Sequence, residues 1–97
     1  MKAKRIDVKV KSVNDGVLWK LDTPVEYEDR DCNTYKTNYV VTSHISNEWA
    51  CETLAFPSDE IGNVLDWGEI GGEWHVDVSH KQVMESMGYE ITDEDFD

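Results

Sequence analysis

The chain predicts an α+β domain: a mainly antiparallel sheet of about five or six strands, opening on an N-terminal hairpin, with one short helix near the C-terminus. Three observations carry this. Apolar residues alternate with polar ones through most of the stretch from Arg5 to Val78, the period of half-buried strands. Clusters of Asn, Asp, Gly, Pro and Ser interrupt that alternation at short intervals. The period changes only after Val78, where a capping sequence begins a helix. At 97 residues the chain is expected to form one domain, residues 1–92, with an acidic tail at 93–97. Four Trp, four Tyr and two Phe supply large apolar area for a small core.

Residues Arg5–Val13 place Ile6, Val8 and Val10 on one face and Asp7, Lys9 and Lys11 on the other, as a first strand would. Asn14-Asp15-Gly16 follows, and those residues accept positive φ cheaply, so a hairpin to a second strand over Val17–Tyr27 is expected. Pro24 requires that this strand bend or lie at an edge. Glu28–Thr34 is polar and reads as a loop. Tyr35–Ile45 and Trp49–Phe56 read as the third and fourth strands, separated by Ser46-Asn47 and closed by Pro57-Ser58-Asp59. After the turn chemistry of Glu60-Ile61-Gly62-Asn63, Val64–Ile70 predicts a short fifth strand ended by Gly71-Gly72. Glu73–Val78 alternates again, as a sixth strand or an extended lead-in. Ser79-His80-Lys81-Gln82 has the form of a capping box, with Val83, Met84 and Met87 on one helical face. Gly88 supplies the left-handed residue that ends the helix, and Tyr89-Glu90-Ile91 can rejoin the sheet. A helix of about nine residues cannot stand alone, so packing must hold it.

Charge is unevenly distributed. Met1–Lys36 carries eight Lys/Arg and seven Asp/Glu, whereas Thr37–Asp97 carries fourteen Asp/Glu against Lys81 alone, giving the total of −12. Such a field repels nucleic acid and anionic membrane and attracts basic protein surfaces. No apolar run approaches the roughly 18–20 residues of a membrane span. The basic start MKAKRIDVKVKS lacks the apolar segment of a secretory signal, so a cytoplasmic protein is expected. Cys32 and Cys51 are far apart and fit no Cys-x-x-Cys pattern, which favours free thiols in a reducing compartment.

Residues that could carry chemistry are sparse. His75, Asp77 and His80 form the best candidate metal set, since imidazole and carboxylate at such spacing suit zinc or manganese. Strand alternation explains His75 and Asp77 equally well, and helix onset explains His80. Asp59, Glu60, Asp66 and Glu69 invite comparison with a calcium loop but lack its alternating ligands and central Gly. No nucleophile–base motif, phosphate-binding Gly loop or His-Glu-x-x-His is present. The expectation is a protein without catalytic activity, cofactor or resident metal. Trp67 stands apart from the other Trp residues because Asp66 and Gly68-Glu69 flank it beside a turn, and an aromatic anchor amid steering acids is an interface composition.

The segment Glu52-Thr53-Leu54-Ala55-Phe56-Pro57-Ser58-Asp59-Glu60-Ile61-Gly62-Asn63-Val64-Leu65-Asp66-Trp67-Gly68-Glu69, followed by His80 and Gly88-Tyr89, resembles small uncharacterised proteins of bacteriophages and prophages. The resemblance covers about the last half of the chain and implies a phage-type accessory protein with no assigned activity. Its elements read physically as strand, turn, strand and capped helix.

The leading expectation is therefore a small acidic module that binds a basic protein. In a phage setting the target would be a nucleic-acid-binding host factor, with carboxylates standing in for phosphates as in a DNA mimic or anti-defence inhibitor. Its contact residues would be Asp59, Glu60, Asp66, Trp67, Glu69 and Glu73. Two alternatives remain: a self-associating virion or assembly component using an exposed edge strand, and a metal-dependent protein using His75, Asp77 and His80. Acidity that serves only solubility is the plainest competitor.

Overall fold

A computed structural model describes residues 1–46, 48–49, 51–74 and 78–92, with Glu73 and Trp74 described by backbone alone. The architecture is α+β: one curled six-stranded sheet and one short helix. The strands are β1 (Lys2–Ile6), β2 (Gly16–Glu28), β3 (Thr34–Ser46), β4 (Cys51–Ser58), β5 (Gly71–Trp74) and β6 (Glu90–Ile91). Helix α1 spans His80–Ser86, between β5 and β6. The spatial order is β5-β4-β3-β2-β1-β6. All neighbours are antiparallel except β1 and β6, which pair in parallel through Lys2↔Glu90 and Ala3↔Ile91.

Register fixes which residues face the helix. Trp19 pairs with Val40, and Val17 with Thr42, while Thr42 pairs with Ala55. All of these but the polar Thr42 join Ala3, Leu21, Val83, Met84 and Tyr89 in one buried cluster. Val83 and Met84 are both fully buried. Each contributes roughly 1.5–3 kcal/mol by leaving water, enough to hold a seven-residue helix that would not form alone. The capping box is present as the sequence predicts: Ser79 Oγ accepts from the Gln82 amide at 3.1 Å, and Gln82 Oε1 accepts from the Ser79 amide at 2.8 Å. Gly88 follows with φ of 94°.

The alternate positions, Leu18, Val41, Ser43, Leu54 and Phe56, are also buried, although among the described residues no second helix covers them. Two long connections do so instead. Val10 of the β1–β2 connection and Leu18 of β2 both lie beside Gly62 of the β4–β5 connection. Ser12 Oγ donates to Gly62 O at 2.8 Å, fastening the two loops together.

Pro24 lies where the β2–β3 register shifts, between Lys20 and Val25, so the strand bends there as Pro requires. The bend frees carbonyls that side chains then satisfy: Asn38 Nδ2 donates to Leu21 O at 3.0 Å, and Tyr89 Oη donates to Thr23 O at 2.7 Å.

Three sequence expectations are corrected. The first strand is Lys2–Ile6 and not Arg5–Val13. Ala3 is its core residue, and Val8 is 44% exposed in the connection that follows. Asn14-Asp15-Gly16 is consequently no tight hairpin. Asp15 does adopt φ of 47°, but Asn14 O accepts from Ser43 Oγ and the His44 amide, across the neighbouring strand. Finally, Val64–Ile70 contributes only the isolated Val64 bridge to Ser58, and Gly71-Gly72 begins β5 where a strand end was expected. A Cβ on Gly71 would meet Met87 Sδ at 2.6 Å, and one on Gly72 would collide with Thr53 O. These glycines let an edge strand press against both the helix and β4.

Candidate functional site

The loop between β4 and β5 carries five of the six expected contact residues: Asp59, Glu60, Asp66, Trp67 and Glu69. Glu73 lies in β5, and its side chain is outside the described set. Asp59 organises the loop's first turn. Its Oδ1 accepts from the Ile61 amide at 3.0 Å and the Asn63 amide at 2.8 Å, and its Oδ2 from Asn63 Nδ2 at 3.1 Å. Desolvation raises the Asp59 carboxyl, but the N–H groups of Asn63, Ile61 and Gly62 outweigh it and hold it below the usual carboxylate value. Glu60, at the tip of this turn, is exposed.

The same construction occurs at the β2–β3 hairpin. Asp29 Oδ1 accepts from the Asp31 and Asn33 amides, both at 2.9 Å. The Asp29 amide donates to Asn33 O and the Cys32 amide to Asp29 O, matching Asp59, Asn63 and Gly62. Cys32 and Gly62, the fourth residue of each turn, have φ of 64° and 93°. The Asn33 amide foremost holds the Asp29 carboxyl below its usual value. The repeated Asp-x-x-x-Asn spacing is readable in the sequence and identifies both turns.

Beyond the Asp59 turn, Asp66 Oδ1 accepts from the Gly68 amide at 2.8 Å, which fixes the position of the residue between them. Trp67 is thereby presented with 63% of its surface exposed, its ring meeting Phe56 edge-on at 5.5 Å. It borders two cavities. One, of about 250 Å³, is largely apolar and is lined by Val13, Ile45, Leu54 and Phe56, with Glu52 at its side. The other, of about 520 Å³, is lined by Glu28, Asp29, Arg30, Leu65 and Asp66. Sequence reasoning missed Glu28, Asp29 and Glu52. The first two sit in the nearly neutral part of the chain and reach Trp67 only because the β2–β3 hairpin folds beside the β4–β5 loop.

A second polar cluster lies under α1. Trp19 Nε1 donates to Thr42 Oγ1 at 2.9 Å, and Thr42 Oγ1 lies 2.7 Å from His80 Nδ1. With Trp19 occupying one lone pair, the Thr42 hydroxyl is best used as donor to an unprotonated Nδ1, which makes His80 the neutral Nε2–H tautomer. Burial lowers the His80 pKa, and this outweighs the opposing pull of Asp15, whose Oδ2 is 3.6 Å from Nε2. His44 Nδ1 lies 2.8 Å from Thr53 Oγ1, which donates to Val78 O at 2.7 Å. The His44 and His80 rings are 6.0 Å apart. His75 and Asp77 of the candidate metal set fall outside the described residues. Among the described residues no group of three or more His, Cys, Asp or Glu is arranged to hold a metal. Cys32 and Cys51 are free thiols, and no described helix is long and apolar enough to cross a membrane.

Comparison with family models, curated proteins and solved structures gives no match. The functional reading therefore rests on the site.

Proposed function

We propose that this protein is a small acidic protein-binding module that docks on a basic surface of another protein through the Trp67 face. The observation carrying this reading is the presentation of Trp67: a large aromatic held out by the Asp66 turn, with carboxylates from two separate chain segments at its flank. An exposed aromatic anchor ringed by charge combines the two properties that give interfaces their affinity and their association rate. The phage-type resemblance of residues 52–89 makes a nucleic-acid-binding host factor the natural target, since carboxylates that replace phosphates recover the electrostatic part of DNA affinity. Self-association by strand addition is less favoured, because among the described residues the edge strands are β5, of four residues, and β6, of two.

The test is titration of purified basic DNA-binding proteins, and of equally basic proteins without that function, over a range of salt concentrations with and without competing DNA. Selective, salt-sensitive binding that DNA displaces supports the reading. Glu60→Lys with Glu69→Lys, both exposed side chains of the same loop, should weaken it while the melting temperature stays put. Equal binding to every basic protein, unchanged by those substitutions, assigns the acidity to solubility alone.

A further inference from the structure

The two cavities beside Trp67 differ in chemistry, and they share Trp67 as a common wall. The smaller offers Val13, Ile45, Leu54 and Phe56, and its volume of about 250 Å³ accommodates one bulky apolar side chain. The larger places Glu28, Asp29 and Asp66 against a single opposing base, Arg30. Carboxylates beside an exposed indole suit a guanidinium or ammonium group, which gains from both the ring and the acids. A ligand that fills both must carry an apolar group and a cation a short distance apart.

We propose that this cleft takes an extended basic segment of a partner protein, seating one Leu-, Met- or Phe-sized side chain in the apolar compartment and an Arg or Lys side chain in the acidic one, across Trp67. An extended chain supplies this geometry directly, because residues i and i+2 point to the same side and are separated by roughly 6.5–7 Å, about the breadth of an indole wall with its contacts. Charge complementarity selects the occupant. The Thr37–Asp97 part of the chain carries fourteen acidic residues against one base, so a second copy of this protein or an acidic peptide meets repulsion where a basic segment meets attraction. The inference rests on the acidic-docking reading above and adds what that reading lacks, the spacing and chemistry of the recognised residues.

The decisive experiment titrates short peptides into the isotopically labelled full chain, following the indole N–H resonance assigned to Trp67 by its loss in Trp67→Ala. A peptide with Arg and Leu two residues apart should shift that resonance and saturate. Replacing its Leu by Ala should weaken binding about tenfold, the cost of one unburied Leu side chain. Replacing its Arg by Gln should weaken it by a factor of about three to ten. Glu28→Gln with Asp66→Asn should shrink the Arg effect and leave the Leu effect intact, since Asp29 and the indole remain and the introduced carboxamide oxygen would keep the acceptor that the Gly68 amide needs. Indifference to the Leu and to its spacing from the Arg, with salt-sensitive binding to basic proteins retained, overturns the two-compartment site and leaves acidic docking standing. No shift at millimolar peptide, together with no binding to any basic protein, overturns both.

Discussion

Replacing Cys32 by Gly should stabilise the protein. Cys32 and Gly62 occupy the same position in two turns of one construction, and both lie in the left-handed region, at φ of 64° and 93°. An L-residue with a Cβ pays about 1–2 kcal/mol for that conformation. Glycine removes this cost but gives back about 0.5–1 kcal/mol through the greater freedom of the unfolded chain. The net expectation for Cys32→Gly is a gain of about 0.5–1 kcal/mol, or about 2–6 °C in Tm for a chain of this size. Cys32 is exposed, so no packing is lost with its thiol. Cys32→Ala is the control: it removes the sulfur, keeps the Cβ and should leave stability within about 0.5 kcal/mol of the parent. Gly62→Ala is the converse. Its new Cβ would come no nearer than 3.4 Å to Val10 Cγ2, so its expected loss, about 0.5–1 kcal/mol by the same balance, is almost wholly conformational. Urea unfolding under reducing conditions, followed by far-UV circular dichroism, measures all three. If Cys32→Gly is no more stable than Cys32→Ala, or Gly62→Ala is neutral, backbone handedness does not set the energy of these turns.

Three further outcomes follow from described contacts. Thr42→Val keeps the shape of a fully buried side chain but leaves Trp19 Nε1–H and His80 Nδ1 unpaired; it should cost about 2–4 kcal/mol in a urea melt, where a loss under about 1 kcal/mol would show that the network is not a structural one. His80 is held below its ordinary value of 6.5 chiefly by burial, with His44 and Arg5 reinforcing this and Asp15 opposing it. The unfolded chain therefore binds the proton first, so this contribution is complete above pH 6.5 and declines as pH falls below it. His80→Gln should flatten the stability profile as pH falls below 6.5, and identical slopes would contradict the assignment. Asp22, Asp29 and Asp59, all lowered from 3.8, lose their contributions only at more acidic pH. Ser79→Ala removes the acceptor for the Gln82 amide and should cost about 1 kcal/mol by thermal melting.

The elements legible in the sequence are those whose local chemistry and tertiary role agree. The helix is an example: Ser79 and Gln82 cap it, Val83 and Met84 are its buried face, and Gly88 ends it. The middle strands β2, β3 and β4 are legible because the polar breaks read in the sequence, at Glu28–Thr34 and after Ser46, are also where those strands end or begin. The misread parts are those where alternation serves a loop. Val8 and Val10 keep strand period, yet the segment bearing them folds over the far face of the sheet, and nothing local distinguishes the two uses. Gly71-Gly72 carries the chemistry of a strand end, but the approach of Met87 and Thr53 decides its role, and both are remote in the chain. At the site, Asp66 and Trp67 are readable as neighbours. Glu28 and Asp29 are not, because only the folded hairpin brings them to the indole.

The placement of α1 and β6 has a consequence for how the protein comes to be made. Val83, Met84 and Tyr89 close a core whose other members, from Ala3 to Ala55, leave the ribosome well before them. Until those last residues emerge, the surface around Trp19, Leu21 and Val40 has no cover, and β1 lacks the partner it pairs with through Glu90 and Ile91. Contacts spanning nearly the whole described chain form late and slowly. A nascent or truncated product ending before Val83 would thus present a sticky, half-finished sheet, which makes it a candidate for chaperone capture or proteolysis, whereas the finished chain conceals the same surface.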